Sequence, residues 1–145
     1  MNKIYKPKFD KLFFWVWMPT VVVLVVATAL TCFEPLPLLI LFATDIFTLY
    51  FLVSPMFGYV ELRENTMYVK YGFILKKEIP YAKIRDVRKE RGIYTTSMLS
   101  LKNAMEHVTV SYNRFDVTAV SVVDNDAFIT DLNWRVSRAR GVADD

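Results

Sequence analysis

The chain has 145 residues, of which 54% are hydrophobic and 23% charged, a high apolar share for one small water-soluble domain. A lone cysteine, Cys32, excludes an intrachain disulfide, and one cysteine with one histidine leaves no ordinary structural zinc site. The formal charge of +3 draws on four lysines before residue 12 (Lys3, Lys6, Lys8, Lys11), and basic flanks of membrane segments explain such a balance without a nucleic-acid partner.

Apolar residues crowd between Leu12 and Val60, while most charges lie outside that stretch. Leu12 to Phe33 is a run of about 22 residues without a charge, enough at about 1.5 Å per residue to cross a hydrocarbon core of roughly 30 Å. Leu36 to Phe57 repeats the pattern with one charge, Asp45. Only Glu34-Pro35 separates the runs, so the two predicted helices form an antiparallel hairpin. Their many Val, Ile and Thr residues lower helix propensity in water. In lipid an unpaired backbone group costs several kcal/mol, which leaves helix as the only form for a single span. Pro19 falls inside the first span as a candidate kink. Pro37 falls in the first turn of the second, where its missing N–H costs little.

The lysine-rich arm, the lysine-free Glu34-Pro35 loop and the return of basic residues at Arg63 and Lys70 predict both ends on the cytoplasmic side of the cell membrane. Trp15, Trp17, Tyr50 and Tyr59 fall toward those ends, as interfacial aromatics do. A cleaved signal peptide is the competing reading of the first run, since Ala27-Thr28-Ala29 loosely fits a cleavage site, but the apolar run is long for a signal and continues past it. Asp45 falls near mid-bilayer, where a charge costs at least about 2.5 kcal/mol. It is read either as a relay or partner contact within the membrane, or as a hydrogen-bonded aspartate turned toward the first helix. Antiparallel register then puts it near Leu24, with Thr20 and Thr28 one turn to either side. A relay needs several polar groups, and scattered threonines favour the second role.

From Gly58 the period becomes two. Tyr59–Arg63 and Met67–Tyr71 alternate around a turn at Glu64-Asn65, and Gly72 marks a turn or bulge. Ile74–Ile79, closed by Pro80, and Ile84–Lys89 follow. Leu99–Leu101, His107–Tyr112 and Val117–Val122 complete about seven strands, separated by Arg91-Gly92, Lys102-Asn103 and Asn113-Arg114. Asp124 is then a good N-cap and Asp126 suits the first turn of a helix. Phe128, Leu132 and Val136 form one apolar stripe, and Arg135, Arg138 and Arg140 gather toward the other end, before Gly141 closes it. The predicted class is α+β: a two-helix transmembrane hairpin, then an antiparallel β-barrel or sandwich capped by a C-terminal α-helix.

Ile79-Pro80-Tyr81-Ala82-Lys83-Ile84-Arg85-Asp86-Val87 resembles the I-P-Y-x-K-I-x-x-V segment of bacterial pleckstrin-homology-like domains. Val108-Thr109-Val110-Ser111-Tyr112, the strand through Val122, and Asp124-Asn125-Asp126-Ala127-Phe128 opening the helix are similar to that family too. The similarity spans roughly residues 58–135, and Ser121-Val122 stands where the family often has Ser-Pro. It implies a pleckstrin-homology-like fold and a membrane location, and it carries no catalytic residues.

No constellation argues for an enzyme. There is no phosphate-binding glycine loop, and a triad would have to use His107, which is expected at a strand start facing solvent. Asp124 with Asp126, and Asp144 with Asp145, read as helix capping and a solvated tail. Thr95, Thr96 and Ser97 read as a polar turn. Tyr68, Tyr71, Phe73, Tyr81, Tyr94 and Tyr112 have strand spacing that suits core and half-buried positions better than base stacking. The strongest signal is charge. From Lys76 to Arg91 seven basic residues stand against three acidic ones, a net charge of +4. Lys76, Lys77, Lys83, Arg85, Arg88 and Lys89 are the candidates for contact with anionic headgroups or a protein partner. Strand alternation also splits them between two faces.

Three regions are therefore expected: residues 1–57 as basic arm and hairpin, with spans of about 12–33 and 36–57; 58–140 as the β domain with its helix; and 141–145 as a tail. The expected role is a membrane-anchored binding or scaffold module. No cofactor or metal is called for, and no nucleic acid. Membrane lipids and a protein partner are the expected contacts, and self-association stays open. The competing role is a membrane accessory or self-immunity factor acting through the hairpin and Asp45.

Overall fold

The computed structural model describes residues 2–92, 100–101 and 103–141. Tyr94, Thr95, Thr96, Ser97, Leu99, Lys102 and the 142–145 tail, singled out above, lie outside the described residues.

A strand β1 (Lys3–Tyr5) comes first, then helices α1 (Lys11–Leu30) and α2 (Pro35–Val53), then a short 3-10 turn at Ser54–Phe57. Strands β2 (Tyr59–Leu62), β3 (Thr66–Lys70) and β4 (Lys76–Pro80) follow, and a second 3-10 turn, Tyr81–Lys83, leads into β5 (Ile84–Arg91). Strands β6 (Ser100–Leu101), β7 (Glu106–Tyr112) and β8 (Asp116–Val120) precede helix α3 (Asn125–Gly141).

Among the described residues the strands form two four-stranded sheets, ordered β1-β2-β3-β4 and β5-β7-β8-β6, so the sandwich half of the sequence expectation describes the fold and no closed barrel is seen there. One pairing departs from the antiparallel expectation: β6 runs parallel to β8. Between the sheets lie alternate strand residues, including Val60, Leu62, Met67, Val69, Ile79, Val108, Val110 and Val120. Helix α3 closes the core with the predicted stripe of Phe128, Leu132 and Val136. It starts as its sequence dictates: the Ala127 amide donates to Asp124 Oδ1 at 3.0 Å, an N-cap bond that satisfies one amide left over by the helix. The opposite end is tied down as well, since Arg140 donates to the Ile84 carbonyl at 2.7 Å.

The basic arm joins the β domain. Lys3–Tyr5 pairs with Leu62–Val60 of β2, although α1 and α2 lie between them in the chain. Tyr5 is buried, with its ring edge-on to Phe128 at 5.2 Å. The arm then crosses to the other sheet: Lys8 N donates to Ser121 O, Val123 N to Lys6 O, and Asp10 Oδ2 accepts from Met105 N at 2.9 Å. Lysine spacing gives no hint of this; the signal is the alternation of Ile4 and Tyr5, too short to stand out beside the long apolar runs.

Helix α1 runs unbroken through Pro19, and Pro35 and Pro37 sit in the opening turn of α2. Among the described residues from Phe13 to Val53 none is buried inside the protein, and both helices are long and apolar enough to cross a membrane. Thr28 Oγ1 donates to Asp45 Oδ2 at 2.8 Å, so the aspartate faces the first helix. Thr20, the other expected neighbour, instead bonds its own helix at the Val16 carbonyl.

Candidate functional site

The end of the domain nearest the hairpin is built around one short connection. The β3–β4 loop (residues 71–75) is closed by Tyr71 N donating to Leu75 O at 2.8 Å. Gly72 sits at φ 144°, a conformation that disfavours any side chain, and a Cβ there would collide with Ser54 Oγ. Ser54 Oγ instead accepts from Phe73 N at 3.2 Å, tying the loop to the residue that follows α2. The Phe73 ring lies 4.7 Å from Phe57 and 5.9 Å from Tyr50, centroid to centroid.

At the other end of β4 the 3-10 turn at Tyr81–Lys83 lies beside the 63–65 turn, where Tyr81 N donates to Asn65 O at 3.2 Å, and it meets the β7–β8 hairpin tip. Asn113 N donates to Lys83 O at 3.0 Å, which brings the two together. Asn113 takes the left-handed conformation with φ 51°, which asparagine tolerates, and donates to Asp116 Oδ2 at 2.7 Å. The tip exposes Arg114 and Phe115.

The six basic candidates divide between this end and elsewhere. Lys76 opens β4, and Lys77 beside it lies over the Tyr112 ring, 4.9 Å from its centroid. Lys83 is exposed in the 3-10 turn, and Arg85 donates to the Arg114 carbonyl at 3.2 Å. Lys83 and Arg85 stand with Arg114 at the β7–β8 tip, whereas Lys76 and Lys77 lie at the other end of β4, beside the β3–β4 loop. Arg88 lies further along β5 and pairs with Asp86. Lys89 is at the far side, held by Asp126 at 2.8 Å, a bond that raises its ammonium pKa. Lys76 and Lys83 have no ion pair among the described residues. Lys70 pairs directly across from Lys76, two like charges side by side. The sequence reading missed Lys70, Arg114 and the apolar Phe73-Ile74-Leu75. Ile74 and Leu75 were expected in a strand, but β4 begins only at Lys76. Three apolar residues after a glycine and before two lysines were the available signal.

His107 is buried, with only 1% of its surface exposed, which overturns its expected solvent position. Its Nδ1 lies 3.2 Å from the Met105 carbonyl and its Nε2 3.7 Å from Glu90 Oε2. Among the described residues, no group of three or more His, Cys, Asp or Glu side chains is placed to hold a metal ion. Tyr71, Tyr81 and Tyr112 are buried. Tyr71 shares a 2.6 Å hydrogen bond with Thr118 Oγ1, and burial pushes its hydroxyl up to about 12.

Across the domain, beyond the 63–65 turn, an open cleft of about 640 Å³ lies against α3, lined by Glu64, Asn65, Pro80, Ala82, Trp134 and Arg138. Arg138 packs over the Trp134 ring at 5.5 Å, and Trp134 is 61% exposed.

Two stacked sheets with a helix across one opening make up the described β domain. Residues 58–136 match the family described as Bacterial PH domain, more than half of the chain. The chain belongs to that family. No curated protein and no solved structure matches it.

Proposed function

We propose that this chain is a membrane-anchored PH-type binding module whose hairpin crosses the cell membrane and whose β domain works at the cytoplasmic face on anionic lipid headgroups. PH domains are generally binding modules rather than catalysts. The pairing of β1 with β2 across the hairpin carries the proposal. It gathers the outer ends of α1 and α2 into one folded domain, which suits helices that enter and leave a bilayer on the same side. Apolar side chains cover both helices and remain exposed, among them Val23, Leu39 and Phe47, and lipid is the solvent that matches them. The lysine bias favours the cytoplasmic side. Lys76 and Lys77, at the start of β4 beside the loop next to α2, then lie within a Debye length or so of the headgroups, where each close cation contributes about 1 kcal/mol.

Protease treatment of sealed vesicles carrying the full-length chain tests this. The β domain should be digested in inside-out vesicles and protected in right-side-out ones, and the chain should resist carbonate extraction. Extraction by carbonate, or digestion in right-side-out vesicles, would refute the proposal.

The Trp134–Arg138 cleft favours a second contact, a protein partner bound on the side of α3. The intramembrane alternative is less well supported, because Asp45 turns toward α1 and accepts from Thr28.

A further inference from the structure

We propose, on the premise that α1 and α2 cross the bilayer, that Phe73, Ile74 and Leu75 insert into the interfacial layer beside α2, making the β3–β4 loop a third membrane contact that fixes the tilt of the domain. The loop height is set by the span itself. Ser54 follows the last residue of α2 and holds Phe73 N, Gly72 allows that approach, and the Phe73 ring rests on Phe57 and Tyr50. A bilayer that takes up α2 therefore has its boundary at this loop.

The chemistry of the loop suits that boundary. Ile74 is 73% exposed and Leu75 55%, in a connection where water favours polar turn residues. Met56 and Phe57, exposed in the adjoining 3-10 turn, continue the apolar surface from α2 to the loop. The patch is thus unbroken with the lipid-facing side of the helix, which argues for lipid as its occupant. Charge completes the pattern. Lys70 and Lys76 flank the loop on adjacent strands directly opposite one another, a like-charge pair that destabilises a sheet in water. Anionic headgroups above the inserted side chains offset that repulsion.

The test uses the full chain with Cys32→Ser, carrying a single cysteine at position 74, 47 or 133 labelled with an environment-sensitive fluorophore. Each variant is reconstituted into nanodiscs of phosphatidylcholine and phosphatidylglycerol, with or without spin-labelled lipid. The label at 74 should shift to the blue and lose at least half its emission to a quencher placed near the headgroup. The label at 47, in the middle of α2, should be quenched by a deep probe, and the one at 133, on the exposed side of α3, by neither. A label at 74 that behaves like the one at 133 while 47 is quenched would overturn loop insertion and leave the hairpin standing. An unquenched label at 47 would overturn the membrane span, and loop insertion with it.

Discussion

Asp131 is the residue on which the arm is moored. Its carboxylate accepts from Lys3 Nζ at 2.5 Å and from the Tyr5 hydroxyl, one helical turn from the Phe128 that meets the Tyr5 ring. The Lys3 ammonium, with the Tyr5 hydroxyl second, holds this carboxyl below its ordinary 3.8, and Asp131 in turn raises Lys3 above 10.5. Because the folded carboxyl is the stronger acid, its contribution is present above pH 3.8 and disappears as pH falls through the folded value. The Lys3 contribution is complete below pH 10.5 and is lost above it. Docking of β1 should therefore be flat across neutral pH and weaken at both extremes. Amide hydrogen exchange at Ile4 and Tyr5, compared between the native chain and Asp131→Asn, checks this: the variant should exchange faster at neutral pH and lose the acid-side dependence. Tyr81 shows what the I-P-Y segment is for. Pro80 ends β4, and the buried Tyr81 donates to the Arg63 carbonyl at 2.7 Å, a carbonyl that also accepts from Arg135. A proline followed by an aromatic was legible in the sequence; a bond to a turn sixteen residues upstream and more was not, because only the packed sheet brings the two together.

At the scale of elements, α3 holds the sandwich closed. Its stripe was readable because residues spaced by four face one way, and the Asp124 cap marked where it begins. Leu132 is fully buried, and Leu132→Ala should cost about 2–5 kcal/mol through lost burial and the cavity left behind. Thermal unfolding of the full chain in detergent, followed by far-ultraviolet circular dichroism, should show a lowered midpoint for the β signal while the hairpin signal persists. The two apolar helices, too, were legible, because two long runs with almost no charge stand on either side of Glu34-Pro35. Less legible were the arm and the basic candidates. A three-residue strand carries almost no periodic signal, and β1 is defined by a partner more than fifty residues away. The basic residues read as one cluster in sequence, yet β5 extends far enough to carry Lys89 to Asp126 and away from Lys76. Spacing along a strand says which face a side chain takes, not which end of the domain it reaches.

For the molecule as a whole, the proposed function makes the hairpin a holder and the β domain the working part. Asp45→Leu removes the bond to Thr28, whose hydroxyl is then free to turn to a carbonyl of its own helix, as Thr31 and Thr44 do. An interhelical bond of this kind contributes about 0.6 kcal/mol in membranes, and Leu offsets that by removing a polar group from hydrocarbon. The variant should keep its membrane insertion, its vesicle protease pattern and its cellular function. Loss of function with insertion intact would move the working site into the hairpin.

The placement of β1 ahead of the hairpin has a consequence for biogenesis. Synthesis delivers β1 first, but its hydrogen-bonding edge emerges only after both helices have been made. A chain that threads one helix and leaves the other behind strands the two halves of the first sheet on opposite sides of the lipid, where they can never meet. Tyr5 would then be missing from beside Phe128, leaving a gap in the packed interior. On the proposed topology, completion of the first sheet thus depends on both helices having been inserted.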